Sequence, residues 1–143
     1  MSTKENKAMD CRFVEEGWNQ GNTAVFDELF AADYLGHDPS GPIHGPEGFK
    51  QYYATYRAAF PDTHLTIEDQ IAEGDKVVTR LTSFGKHEAD LPGAPRTGNE
   101  MKMTSITIHR IENGKLVEKW SEKDMISLLQ QIGKMPSTGQ SDN

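Results

Sequence analysis

The spacing of apolar residues changes at Pro61, and this change constrains the fold more than any other feature of the sequence. Before Pro61, apolar and aromatic side chains recur at the spacing of one helical face: Phe49, Tyr52, Tyr53, Tyr56 and Phe60. After it, Leu65, Ile67 and Ile71 alternate with polar residues, which is typical of a half-buried strand. Because proline cannot continue a helix, the sequence predicts a helix over residues 45–60 followed by a sheet.

The last third of the chain contains a strong hairpin signal. Asn113-Gly114 favours a tight two-residue turn, and it lies between a predicted strand over residues 101–111 and a return strand. Glu118 and Trp120 are two positions apart in the return strand, so their side chains lie on the same face. Asp124 then precedes a short amphipathic stretch. The segment therefore predicts a pair of strands closed by a helix.

The order of the predicted elements indicates the fold class. We expect a helix capped by Ser2 or Thr3 that runs to Asn19, a second helix from Thr23, and a loop over residues 33–44, which are rich in Gly, Pro, Asp and His. Four strands joined by short turns follow, and such strands pair antiparallel. Helices gathered at one end of the sequence cover one face of the sheet, so we predict a single α+β domain over residues 1–133. We expect residues 134–143 to be a disordered tail.

Composition argues against several kinds of partner. The 143 residues include 15 Lys and Arg against 22 Asp and Glu, a formal net charge of −7, whereas nucleic acids and anionic membranes favour basic surfaces. The sequence contains no run of about 18 apolar residues, the length that a membrane-spanning helix needs. The first residues also lack the apolar stretch of a signal peptide. The single cysteine, Cys11, cannot form an intrachain disulfide. We therefore predict a cytoplasmic protein that binds neither nucleic acid nor membrane.

Several short motifs occur in an order that resembles one family. They are Gly45-Pro46-Glu47-Gly48-Phe49, Ala59-Phe60-Pro61-Asp62, Ala72-Glu73-Gly74-Asp75-Lys76-Val77, the Asn113-Gly114-Lys115 hairpin and Gln130-Gln131-Ile132-Gly133. Over residues 8–133 the chain resembles the SnoaL-like polyketide cyclases, which belong to the nuclear transport factor 2-like superfamily together with the ketosteroid isomerases. The resemblance implies a cone-shaped α+β barrel, in which a strongly curved antiparallel sheet wraps round a hydrophobic pocket and helices pack on its concave side, usually in a dimer.

The resemblance also implies a chemistry. The best-known members close a ring by intramolecular aldol condensation of a polyketide ester, without a cofactor or metal, and an aspartate near the last strand acts as acid and base. The match to the closing segment suggests Asp124, although some relatives carry Asp directly after the Trp, where this chain has Ser121. Asp124 also fits the role of a helix N-cap, and Glu118 is a second candidate acid.

Further candidates are histidines and residues that could line a pocket. His37 and His87 lie where loops or strand ends would form a cavity mouth, and an imidazole exchanges protons near neutral pH. We predict that Asp124, His37 and His87 are catalytic. The predicted substrate contacts are Trp18, Tyr34, Tyr53, Tyr56, Arg80, Glu118 and Trp120. Without a metal-binding His spacing, a phosphate-binding glycine loop or a Gly-x-Ser-x-Gly elbow, we predict no metal and no cofactor.

Three functions fit these observations. The leading hypothesis is a small cofactor-independent cyclase or isomerase that removes a proton next to the carbonyl of a small hydrophobic molecule. The alternatives are a hydrolase or dehydratase on the same fold and a non-enzymatic binder of a hydrophobic ligand. A solvent-facing Asp124 would favour the binder, and a buried Asp124 beside a histidine would favour an enzyme. We also predict a homodimer through the outer face of the sheet, because both faces of the strand over residues 77–84 carry apolar groups.

Overall fold

The structure is a computed structural model that describes residues 2–91 and 93–133. Its helices are α1 (Thr3–Arg12), which continues as a π-helical segment (Phe13–Asn19), α2 (Ala24–Leu29), α3 (Gly45–Ala59) and α4 (Met125–Gln131). Its strands are β1 (Phe30–Asp38), β2 (Gly41–His44), β3 (His64–Glu73), β4 (Lys76–Lys86), β5 (Glu100–Glu112) and β6 (Lys115–Lys123). No helix in the described part of the chain is long and apolar enough to cross a membrane. The predicted tail, residues 134–143, lies outside the described residues.

Local sequence signals set the ends of the helices. The Ser2 hydroxyl accepts a hydrogen bond from Glu5 N at 3.1 Å, and the Glu5 carboxylate accepts one from Ser2 N at 2.9 Å. This capping box begins α1. α3 has Pro46 in its first turn, where no backbone N–H is needed, and it ends shortly before Pro61. The first helical stretch reaches Asn19 as predicted, but it changes from α to π geometry after Arg12.

The six strands form one sheet in the order β2-β1-β6-β5-β4-β3. The strands β3 to β6 pair antiparallel with their neighbours, as predicted for strands joined by short turns. Helices α1, α2 and α3 pack on one face of the sheet, which we call the inner face. The α+β class is therefore confirmed. The predicted cone-shaped α+β fold is confirmed as well. Its sheet is open, with β2 and β3 at the two edges.

Residues 33–44 form strands rather than the predicted loop. β1 pairs antiparallel with β2 but parallel with β6, so the sheet is mixed and not purely antiparallel. Residues that are typical of loops fit these strands for physical reasons. Pro42 lies in an edge strand, where a residue without an N–H is tolerated. Gly36 leaves room for the Tyr34 hydroxyl, which would lie 3.1 Å from a Cβ at that position.

A β-bulge in β6 changes the alternation of its side chains. Ile111 of β5 pairs with Leu116, but the preceding residue, Arg110, pairs with Glu118. Val117 is therefore an extra residue in β6. Because side chains of a strand alternate with a period of two, one extra residue moves all following side chains to the other face.

The bulge decides which residues of β6 face the helices. Lys119, Ser121 and Lys123 face inward, and Lys119 and Ser121 are 9% and 6% exposed. Glu118 and Trp120 face outward. The two residues that the hairpin signal suggested for a pocket thus lie on the outer face of the sheet.

Two apolar clusters cover the inner face. The larger lies between α1, α2, α3 and the sheet and is rich in aromatic rings: Phe13, Trp18, Phe26, Phe30, Phe49 and Tyr53. The smaller lies under α4 and contains Phe60, Met101, Met103, Leu128 and Ile132. Tyr56 of α3 packs against both clusters.

Candidate active site

A cavity of about 720 Å³ lies between α3, α4 and the β1–β2 turn. Its walls are mostly apolar and include Ile43, Tyr56, Leu91, Met103, Leu128 and Ile132. Leu91 comes from the loop between β4 and β5, so this loop forms part of the wall. An apolar cavity of several hundred Å³ with a few polar groups is typical of sites for small hydrophobic molecules.

Three ionisable side chains of this cavity wall form a hydrogen-bonded cluster. Lys123 Nζ donates a hydrogen bond to Asp38 Oδ1 at 2.6 Å and another to the Tyr52 hydroxyl. Asp38 Oδ2 accepts hydrogen bonds from Ser40 N at 3.0 Å and from Ser40 Oγ at 2.6 Å. The side chains of Lys123 and Asp38 are only 12% and 8% exposed. The cluster therefore presents charged groups to a cavity that is otherwise apolar.

Burial and pairing set the protonation of this cluster. Burial alone would raise the pKa of Asp38, but the Lys123 ammonium and the Ser40 donors outweigh it and hold that pKa below its ordinary value. Burial likewise opposes charge on Lys123, yet Tyr52 and Asp38 raise the pKa of the ammonium overall. Burial also raises the pKa of the Tyr52 hydroxyl. At neutral pH the cluster consists of a carboxylate, an ammonium and a neutral phenol.

From Lys123, a row of polar residues runs along β5 and β6, which we call the inner polar strip. Its cross-strand pairs are Ser105 with Lys123, Thr107 with Ser121, and His109 with Lys119. The members of the strip are buried or nearly so. Buried polar groups are unfavourable unless they find partners, and sites that break this rule are often functional.

At one end of the strip, His109 is tied to Asp10 of α1. Its Nδ1 lies 2.6 Å from Asp10 Oδ1, while Asp10 Oδ2 accepts hydrogen bonds from Thr79 Oγ1 and Gln70 Nε2. Burial lowers the pKa of His109 despite the nearby carboxylate. The ring is therefore neutral at pH 7 and donates its Nδ1–H to Asp10. Among the described residues, His109 Nε2 has no hydrogen-bond partner, so its lone pair is free to accept a proton.

Lys119, which lies opposite His109, also lacks a polar partner. Its Nζ is 4.9 Å from the centre of the Phe13 ring and 5.6 Å from that of Phe49. Within residues 2–91 and 93–133 it makes no hydrogen bond or ion pair. Burial, together with the positive charge of Lys123, lowers the pKa of Lys119 to about 8.

Asp124 lies at the start of α4 with its carboxylate exposed. Asp124 Oδ1 accepts a hydrogen bond from Ser127 N at 3.0 Å, so the residue is the N-cap of the helix. It is not part of the cavity wall. An exposed Asp124 is the arrangement expected of a ligand binder, and a catalytic role for this residue stays a prediction.

Three of the predicted residues meet on the outer face of the sheet. His37 Nε2 lies 2.7 Å from Glu118 Oε2, and the His37 ring stacks on Trp120 with ring centres 5.4 Å apart. The hydrogen bond from His37, helped by Arg110, holds the pKa of Glu118 below its ordinary value. The sequence predicts His37 at the mouth of a cavity, but the structure places this cluster on the side of the sheet away from the cavity between α3 and α4. The roles of its members stay predictions.

The remaining predicted residues are dispersed. Arg80 is exposed on the outer face and lies 3.3 Å from Asp69. His87 is fully buried at the base of the β4–β5 loop, with Nδ1 3.0 Å from Thr97 Oγ1. The other predicted substrate contacts lie in or against the larger aromatic cluster: Trp18, Tyr34, Tyr53 and Tyr56. Of these four, Tyr56 also lines the cavity.

Asp38, Lys119 and Lys123 were not predicted, although they carry the charges of the inner face. Period-two alternation does place Lys119 and Lys123 together. The aromatic Trp120, however, makes the opposite face of the strand resemble the buried one. Asp38 and Lys123 are 85 positions apart in the chain, so no local pattern indicates their contact.

Comparison with known proteins identifies the family of this chain. The family model of the SnoaL-like polyketide cyclases matches residues 8–132. The nogalonic acid methyl ester cyclase of Streptomyces nogalater is 31% identical over 121 residues, which cover 81% of this chain and 89% of that protein. The aklanonic acid methyl ester cyclase DnrD of Streptomyces peucetius is 28% identical over 129 residues, which cover 86% of this chain and 88% of that protein.

The fold agrees with this match. TsrD from Streptomyces laurentii has a similar structure, with a TM-score of 0.85 at 26% identity, and the alignment covers 94% of this chain and 99% of that one. The chain is an α+β protein with helices on one face of an open mixed sheet and an apolar cavity between the helices and the sheet. Because the family model matches residues 8–132, the chain belongs to the SnoaL-like polyketide cyclase family.

Proposed function

We propose that this chain is a cofactor-independent cyclase or isomerase that removes a proton from the carbon next to a carbonyl of a small, polyketide-like molecule. Membership of the family supports the reaction class, and two curated relatives are cyclases of polyketide methyl esters. The observation that carries the proposal is the Lys123–Asp38–Tyr52 cluster in the wall of an apolar cavity.

Removal of such a proton leaves an enolate, whose oxygen carries most of the new negative charge. The Lys123 ammonium and the Tyr52 hydroxyl are donors that can hold this oxygen, and both are in place before a ligand binds. Asp38 is the carboxylate next to these donors, and in this proposal it accepts the proton. Its low pKa makes it a weak base, and stabilisation of the enolate by Lys123 offsets that weakness.

The predicted catalytic residues remain rival assignments for the base. Asp124 is the nearest rival, because it directly follows Lys123 in the chain. His87 is buried beside Phe60 of the smaller apolar cluster, with its Nε2 unpartnered among the described residues. His37 lies on the other side of the sheet, so it would need an indirect role.

Exchange of protons for deuterium in D2O tests the proposal without knowledge of the natural substrate. Aryl ketones such as 1-tetralone, and aryl β-keto esters, serve as probes, and NMR follows loss of the proton next to the carbonyl. We expect wild type to accelerate exchange, and Lys123→Met and Tyr52→Phe each to lose roughly 10- to 1000-fold. Addition of EDTA should change nothing, in keeping with the predicted metal-free chemistry.

Lys102→Met is the matched control for Lys123→Met, because it removes an exposed lysine from the outer face. It should exchange protons as fast as wild type. Exchange at the buffer rate for all probes with wild type would contradict the proposal.

A non-enzymatic binder of a hydrophobic molecule is the second candidate, and the exposed position of Asp124 favours it. In that case the same aryl ketones should bind saturably, as measured by calorimetry, without any acceleration of exchange. Binding with exchange supports the enzyme, and binding alone supports the binder.

We also propose that the chain forms a homodimer through the outer face of the sheet. Ile71, Phe84 and Ile106 of β3, β4 and β5 are 66%, 41% and 50% exposed. Exposed apolar side chains on neighbouring strands are typical of surfaces that bind another protein. This proposal rests on the family resemblance and on these side chains.

A further inference from the structure

Lys119 is a buried amine that the proposed cyclisation does not use. Its Nζ lies against the faces of Phe13 and Phe49 rather than against a carboxylate. An unpaired charge in such surroundings is unfavourable, and the pKa of about 8 reflects this. The neutral form of a desolvated lysine amine is a nucleophile toward carbonyl carbon.

His109 supplies a base next to this amine. The two residues are cross-strand partners on β5 and β6, and they share Phe13 as a wall. The His109 ring packs edge-on against Phe13 with ring centres 5.0 Å apart, and Lys119 Nζ lies 4.9 Å from the same ring centre. Asp10 holds His109 Nδ1 at 2.6 Å, which leaves the buried Nε2 without a partner among the described residues. An amine and an available lone pair therefore come from directly paired residues that border the same ring.

Unpartnered hydroxyl groups connect this pair with the cavity. Thr107 and Ser121 form the next cross-strand pair of the inner polar strip, and Lys123 in the cavity wall lies beyond them. Neither hydroxyl makes a hydrogen bond within residues 2–91 and 93–133. The strip therefore places unpaired hydroxyl groups between the cavity wall at Lys123 and Lys119.

We propose that Lys119 forms an imine with an aldehyde or ketone that reaches the inner polar strip, with His109 as the proton carrier. The neutral amine attacks the carbonyl carbon to form a C–N bond. His109 Nε2 carries the two amine protons, one after the other, to the former carbonyl oxygen. That oxygen leaves as water while the C=N bond forms, and His109 ends neutral. Amine plus carbonyl gives imine plus water, with no oxidant or reductant.

This site goes beyond the proposed cyclisation, because an imine can form whether or not a ring is closed. It also uses none of the Lys123–Asp38–Tyr52 cluster. A negative result in the proton-exchange experiment therefore does not test the imine proposal. A lack of imine formation at Lys119 likewise does not contradict the cyclase proposal.

Reductive trapping tests the proposal on the full chain. Benzaldehyde and sodium cyanoborohydride at pH 7.5 convert an imine into a stable benzylamine, and peptide mass spectrometry gives a labelling rate for each lysine. Lys102 is the control within the same molecule, since its Nζ lies 6.0 Å from the centre of the Phe84 ring but the side chain is exposed on the outer face. We expect Lys119 to label at least about tenfold faster than Lys102.

The expected ratio follows from the free amine available. At pH 7.5 an amine with a pKa of about 8 is ~24% neutral, whereas an ordinary lysine is ~0.1% neutral. In urea-unfolded protein the two lysines should label at equal rates. Labelling of Lys119 no faster than Lys102 in the folded protein would overturn the proposal.

The role of His109 has its own test. His109→Gln should slow labelling of Lys119 by roughly tenfold and leave Lys102 unchanged, with circular dichroism and the melting temperature reporting the fold. Unchanged labelling of Lys119 would remove His109 as the proton carrier.

A pH profile of the wild type gives a measurement that needs no variant. The charged groups that act on Lys119 are Asp10, Asp38 and Lys123, in addition to the His109 ring. The Lys119 rate should level off above about pH 8 in the folded protein, whereas in urea-unfolded protein it should continue to rise toward pH 10. Parallel profiles of Lys119 in the folded and unfolded protein would contradict a special environment at Lys119.

Discussion

Lys123 Nζ and Asp38 Oδ1 lie 2.6 Å apart near the ends of the parallel strands β1 and β6. Both side chains are almost fully buried. Such a pair is a weak source of stability, because the desolvation of two charges offsets much of their attraction. Its effect here is to hold a charged donor at an apolar cavity without leaving a net charge buried.

We expect Asp38→Asn to lower the free energy of unfolding by roughly 3–5 kcal/mol, because the Lys123 ammonium is left buried without its anion. Urea denaturation measures this loss. The double variant Asp38→Asn/Lys123→Met should recover a large part of it, since no unpaired charge remains. Losses that simply add in the double variant would show that the two side chains are not coupled.

Lys119 should make stability depend on pH with a defined sign. The pKa of Lys119 is lowered to about 8 in the folded chain and is close to 10.4 in an unfolded chain. Between these values the unfolded chain binds more protons, so stability rises with pH. Below pH 8 both states are protonated, and the folded chain carries the full cost of the buried charge, on the order of 3 kcal/mol.

Comparison with Lys119→Met isolates this effect, because other titrating groups cancel. At pH 7 the free energy of unfolding of the variant should be larger than that of wild type. This difference should shrink as the pH approaches 10. Urea denaturation at several pH values measures it. A difference that stays constant from pH 7 to 10 would contradict the lowered pKa.

The antiparallel core of the sheet could be predicted because it depends on neighbours in sequence. Asn113 and Gly114 both have positive φ values, 52° and 73°, as the turn signal requires. β4 pairs with β5 in a regular register along the whole length of β4. In these two strands, the alternation of side chains therefore predicts correctly which face of the sheet each residue lies on.

The inner face of β6 could not be predicted in the same way. The extra residue Val117 reverses the alternation, and nothing in its side chain marks a bulge. Glu118 and Trp120 therefore face outward, while Lys119 and Lys123 face the helices. The site also depends on contacts with β1, and this strand has a loop-like composition that only its pairing with β6 and β2 overrides.

Asp124 offers a direct comparison between a cap and a catalytic acid. Asp124→Asn keeps an acceptor for Ser127 N and should unfold much like wild type, since Asn caps helices nearly as well as Asp. Asp124→Ala should lose about 1 kcal/mol of stability. If Asp124 is the base, the Asn variant should lose roughly 100-fold or more in proton exchange. Under the assignment of Asp38 as base, it should retain wild-type exchange.

The proposed dimer can be tested with two equivalent substitutions at exposed isoleucines. Ile106 is 50% exposed on the outer face of β5, and Ile126 is 55% exposed on α4, away from that face. A glutamate within an apolar interface is costly to bury, so Ile106→Glu should yield a monomer and Ile126→Glu should remain dimeric. Light scattering at protein concentrations on the order of tens of micromolar measures the mass of each. A monomeric wild type, or equal behaviour of both variants, would rule out the outer face as the dimer interface.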